Sequence, residues 1–207
     1  MKNVLCYGDS NTWGYVPGIG ARFPRELRWP GILQQSLGKT FHIIEAGLNG
    51  RTTVFDDQGK AGCNGLTSLE PILESCPLLA VVILMLGTND LKCHLGVSAL
   101  ETAQGLERLV EKIEAYAEGK VQDTPKILIV SPPGIHPGSL MSNSLFQGAS
   151  EKLREFPRLF SEVADNKGCY FLDAAEFVKP GTVDGVHLDE QGHARLAQVI
   201  ARALIEV

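Results

Sequence analysis

The run Leu79-Ala-Val-Val-Ile-Leu-Met-Leu86 is apolar throughout, with no polar residue to alternate against. A strand that faces water on one side alternates, so an unbroken run of this kind describes a strand covered on both faces. Even with Leu78 added it is too short to span a bilayer. Four other strand-like runs end near Tyr7, Ala46, Val130 and Leu172, and segments with helical periodicity separate them. Strands alternating with helices predict a doubly wound α/β fold, a parallel sheet with helices on both faces.

The helical segments carry their own end signals. Trp29–Leu37 is entered through Pro30 and closed by Gly38. Ser98–Glu118 repeats Leu106, Leu109, Val110 and Ile113 at helical spacing, with Ser98 and Glu101 placed for a capping box. Phe146–Asn166 reads as helix but carries Pro157, which breaks or kinks it. Asp189 is placed to cap the last helix, whose apolar face is Ala194, Leu196, Ala197, Ile200, Ala201 and Leu204.

Composition excludes several classes. The 207 residues fit one domain, and 44% hydrophobic with 21% charged residues describes an ordinary soluble protein. A formal net charge of -5 without any basic block argues against nucleic acid as a partner, and no membrane segment is expected. The N-terminus reads as a strand without the apolar core of a signal peptide. Five scattered cysteines, with no Cys-x-x-Cys pair, read as reduced thiols, so a cytoplasmic location is expected and no zinc site is. No dinucleotide fingerprint, phosphate-binding loop or nucleophile-elbow pentapeptide is present. No cofactor is called for.

In open parallel sheets, ligands bind beyond the carboxyl ends of the strands. The residues that follow the five runs are Gly8-Asp9-Ser10, Gly47-Leu-Asn-Gly50-Arg51-Thr52-Thr53, Gly87-Thr88-Asn89-Asp90, Ser131-Pro-Pro-Gly134 and, shortly after the fifth, Asp184-Gly185-Val186-His187. A serine, a close-approach glycine, an amide and an Asp-x-x-His pair are the parts of an acyl-transfer site. In that reading Ser10 is the nucleophile, His187 its general base, and Asp184 the acceptor that fixes the imidazole tautomer. Gly50, Asn89 and the Ser10 backbone N–H are the oxyanion donors, one such donor being worth about 3–4 kcal/mol in the transition state. A metal site built from Asp184, His187, Asp189 and His193 matches no zinc spacing, and His193 reads instead as a helix-surface histidine. His94 is a weak candidate for the pocket lining.

The four ordered blocks resemble the SGNH, or GDSL-type, hydrolase family, named for its Ser, Gly, Asn and His positions. Tyr7–Gly14, Gly47–Thr53 and Met85–Asp90 are similar to the arylesterase/acyltransferase branch, and Ile129–Pro133 with Val183–His187 agree. The resemblance implies a three-layer flavodoxin-like fold with a five-stranded parallel sheet. It implies a serine esterase for short acyl esters, with transfer to alcohols known in the branch and compact homo-oligomers among its members. A carbohydrate acetylesterase uses the same machinery. A non-catalytic flavodoxin-like binding module is a weaker alternative, because fold does not fix function. Where the family often has leucine after the serine, this chain has Asn11. Asn11 is therefore expected to help choose the substrate, together with the loops Val16–Arg28, Phe55–Gly65 and Gly134–Gln147, and Trp13, one helical turn past Ser10, reads either as a wall of the pocket or as a core residue.

Overall fold

The computed structural model describes residues 1–120 and 123–206. Five strands, β1 (Lys2–Gly8), β2 (Phe41–Gly47), β3 (Leu79–Met85), β4 (Lys126–Ser131) and β5 (Tyr170–Asp173), form one sheet. Every pairing is parallel and the order is β2-β1-β3-β4-β5, so the unbroken apolar run lies at the centre. This is the flavodoxin-like order, with the reversal between β1 and β3 opening a crevice at the carboxyl ends.

Alternation along each strand feeds two cores. Leu5, Tyr7, Val82 and Leu84 point to one face, where they meet Leu69 and Leu73 of α3 (Gly65–Ser75), Leu106 and Leu109 of α4 (Ala99–Gly119), and Phe156 and Phe160 of α7 (Phe156–Lys167). Val4, Cys6, Val81, Ile83 and Met85 point to the other, against Trp29 and Leu33 of α2 (Trp29–Leu37) and Leu196 and Ile200 of α8 (Glu190–Glu206). Each large side chain buried this way contributes about 1.5–3 kcal/mol.

The expected caps form. Ser98 and Glu101 make a complete capping box on α4. The Asp189 carboxylate accepts the Gly192 N–H at 2.8 Å and opens α8. The Phe146–Asn166 segment is two helices, α6 (Ala149–Leu153) and α7, with the break at Arg154–Glu155. Pro157 lies in the first turn of α7, where its missing N–H has no partner to lose. Two short helices complete the chain order, α1 (Ser10–Trp13) after β1 and α5 (Leu140–Asn143) after β4.

Candidate active site

The site begins where β1 and β2 both end on glycine. A side chain at Gly8 would put its Cβ 2.1 Å from Thr12 Oγ1, and one at Gly47 would lie 2.1 Å from the Trp13 nitrogen. Only hydrogen at both positions lets α1 pack down onto the strand ends, which places Ser10 at the rim. Asp9 caps this single turn by accepting the Asn11 N–H at 2.9 Å. Leu48 N–H bonds to the Gly8 carbonyl, and Arg51 donates to the Gly8 and Ala46 carbonyls while its guanidinium lies 4.1 Å over the Tyr7 ring. Arg51 thus ties the first two strand ends together.

The second half comes from the loop before α8. Asp184 Oδ1 accepts the Val186 and His187 N–H groups, each at 3.0 Å, which curls the loop and aims the imidazole. His187 Nδ1 then lies 2.7 Å from Asp184 Oδ2, and Nε2 lies 2.9 Å from Ser10 Oγ. Carboxylate, imidazole and hydroxyl form one hydrogen-bonded line. Burial works to raise the Asp184 carboxyl, but the bonds from His187 and the two backbone N–H groups outweigh it and hold it below its usual range.

Ser10, Gly50 and Asn89 line one cleft of about 190 Å³ together with His187. Gly50, in a turn at φ +80°, is a conformation that side chains resist. Its N–H bonds to no other group among the described residues. Asn89 spends one amide hydrogen on a long 3.5 Å contact to Asp9 Oδ2 and keeps a second. The Ser10 N–H is one of the donors that a helix start leaves unpaired.

Two buried acids hold this rim from behind. Asp90 accepts the Thr53 N–H through both oxygens and the Thr53 hydroxyl as well, fastening the Gly50 loop to the end of β3. Burial raises both Asp9 and Asp90 to about 6, against the hydrogen bonds they accept. Asp90 is thus a fastener of the rim.

Asn11 and Trp13 do not line the cleft. Asn11 donates to the Val186 carbonyl at 3.3 Å and accepts the Leu188 N–H at 2.9 Å, so its amide clips α1 to the His187 loop. Trp13 is half-buried, with the Arg22 guanidinium 5.2 Å over its ring. Of the three loops expected to shape substrate choice, Val16–Arg28 contributes no lining residue, whereas the other two supply Lys60, Met141, Leu145 and Phe146. His94 also lies outside the lining and reaches Asp57 at 3.1 Å.

Two residues were missed or misread. The Tyr15 ring lies against the imidazole at a tilt of 33°, ring centroids 4.2 Å apart, because Gly14 in a left-handed turn sends the chain back over the site. No sequence spacing signals that return. His193 is fully buried, its Nδ1 accepting the Trp29 N–H at 3.3 Å. Burial lowers it to about 4. Its offset from Ala197, Ile200 and Leu204 is helical, so the apolar face itself held the signal.

The class of protein follows from fold and relatives together: an ester hydrolase. Residues 6–195 match the GDSL-like Lipase/Acylhydrolase family, and the chain belongs to it. Aryl esterase from M. smegmatis superposes with a TM-score of 0.94 at 37% identity, covering 100% of this chain and 99% of that one. A carbohydrate acetylesterase from Sinorhizobium meliloti gives 0.95 at 37% identity with the same coverage. An acetylxylan esterase from Xylanibacter ruminicola is 26% identical over 97% of this chain, which spans 42% of that relative's length. No helix among the described residues is long and apolar enough to cross a membrane.

Proposed function

We propose that the chain is a serine esterase for short acyl esters, with Ser10, His187 and Asp184 as its catalytic triad. The observation that carries this reading is the 2.9 Å and 2.7 Å hydrogen-bonded line opening onto the cleft beside Gly50 and Asn89. Ser10 Oγ attacks the ester carbonyl as His187 Nε2 takes its proton. The Ser10 and Gly50 N–H groups and the Asn89 amide hold the oxyanion. Collapse expels the alcohol, which receives the proton from His187, and leaves an acyl-serine. Water, deprotonated by the same imidazole, then releases the acid and restores Ser10; an alcohol in its place gives acyl transfer.

The cleft is small for a ligand site, which favours an acetyl-sized acyl group. That the alcohol is a sugar is a second reading, supported by the acetylesterase and acetylxylan esterase relatives. The five cysteines, none in a disulfide, support a reducing compartment such as the cytoplasm.

Hydrolysis of an aryl acetate by Ser10→Ala tests the assignment. The expected fall in kcat/KM is at least about a thousandfold. Turnover close to wild type removes Ser10 as nucleophile. Rates on acetylated sugars against the aryl acetate separate the two alcohol readings.

A further inference from the structure

The cleft lining mixes two chemistries. Met141, Leu145 and Phe146 give its lining an apolar part, and Asn49, Gly50, Lys60 and Lys92 a polar and cationic one. Among the described lining residues there are two lysines and no carboxylate, in a chain whose net charge is -5. The two lysines are not equivalent. Lys92 is buried and its Nζ lies 2.8 Å from Asp57 Oδ2. The other Asp57 oxygen faces His94 at 3.1 Å and accepts the Gly59 N–H at 2.9 Å, so this carboxylate is fully engaged.

Lys60 is the cation left over. Its backbone N–H is tied to the Asp57 carbonyl, which fixes the main chain from which the side chain starts. Its ammonium donates to the Asn49 carbonyl at 2.7 Å, and no carboxylate among the described residues lies within ion-pair distance. An ammonium has three donors, so two remain. The stem runs along Gly50: a Cβ there would sit 3.2 Å from Lys60 Cδ and 3.4 Å from Nζ. An unneutralised charge is therefore held beside the backbone that faces the reacting carbonyl.

Resting on the serine-esterase reading, we propose that the Lys60 part of the cleft lining is a subsite for an anionic substituent, and that the preferred ester carries a carboxylate within reach of Lys60. The carboxylate can belong to the acid part or to the alcohol part. Two matched pairs distinguish them: monoethyl succinate against ethyl butanoate, and 4-acetoxybenzoate against its methyl ester. In each pair the readout is the anionic-to-neutral ratio of kcat/KM, compared between wild type and variants so that intrinsic reactivity cancels.

For one of the pairs, Lys60→Met lowers the ratio about fivefold, the size of a partly exposed ion pair, and Lys60→Arg retains it. The wild-type ratio for that pair also falls when salt is raised from about 0.05 to 0.5 M, because the screening length shrinks to a few ångströms. The first pair responding places the carboxylate on the acid side, the second on the alcohol side. Ratios in both pairs that ignore salt and are equal in wild type and Lys60→Met overturn the proposal. The salt series needs no variant, so it stands if Lys60→Met does not fold. Loss of activity in Ser10→Ala alongside unchanged ratios sinks the subsite and leaves the serine reading in place; an active Ser10→Ala sinks the serine reading instead.

Discussion

The floor of the cleft and its walls are built on different terms. On the floor, Ser10, Asn89, Asp90 and His187 are buried, and bonds between distant segments cross it. Ser10 meets His187 across 177 positions, and Asp90 meets Thr53 across 37. The walls are loops and the short α5: Lys60 is exposed, Met141 and Leu145 are half-buried, and Tyr15 lies tilted against the imidazole. Floors of this kind fix the reaction, since a misplaced donor loses most of its value. Walls can vary without touching the chemistry, so substrate choice belongs to them.

The largest effect expected is on the floor. Asp184→Asn keeps an oxygen for the Val186 and His187 N–H groups but cannot hold the imidazole tautomer as a carboxylate does. We expect an esterase rate about three to four orders of magnitude lower with the melting temperature nearly unchanged. A loss of less than tenfold would place Asp184 outside the catalytic line.

A second expectation concerns stability against pH. His193 is buried neutral, with a value near 4 in the folded protein against 6.5 in the unfolded chain. A depressed histidine favours the folded state fully above 6.5, and that favour drains away as pH falls toward 4, about 3 kcal/mol in all. Asp9 and Asp90, raised to about 6, act in the opposite sense, because their charged forms are penalised in the folded state as pH rises from about 4 to 6. The comparison must therefore be between two proteins at each pH. Relative to wild type, His193→Gln should gain melting temperature steadily between pH 7 and 4.5. A difference that stays constant over that range contradicts the buried neutral histidine.

The walls should give the smallest effect. Leu145→Ala enlarges the apolar part of the lining and should raise the butanoate-to-acetate ratio of kcat/KM by about threefold, near the value of a methylene in a hydrophobic pocket. A ratio that does not move would mean that the acyl chain lies elsewhere.

The same division explains what the sequence disclosed. β1 to β5, the glycine-bounded α2, the capping box of α4 and the cap of α8 rest on patterns a few residues long, and all form. The residues at strand ends could be ranked because topology brings them to one rim. What stayed hidden depends on returns of the chain. α3 interrupts its own pattern with Pro71. Tyr15 reaches the imidazole only through the turn at Gly14. The Asn11 amide reads as a substrate contact until the His187 loop is seen to lie against it. His193 differs, since its helical spacing carried the information and only its polarity suggested the surface.

The central claim is that Ser10 carries the acyl group. An aryl-acetate-sized fluorophosphonate, applied to folded protein and followed by peptide mapping, reads that directly. The proposed reaction requires one adduct per chain on Ser10, absent in Ser10→Ala and slowed in Asp184→Asn. An adduct on another residue, or none while esterase activity persists, would contradict it.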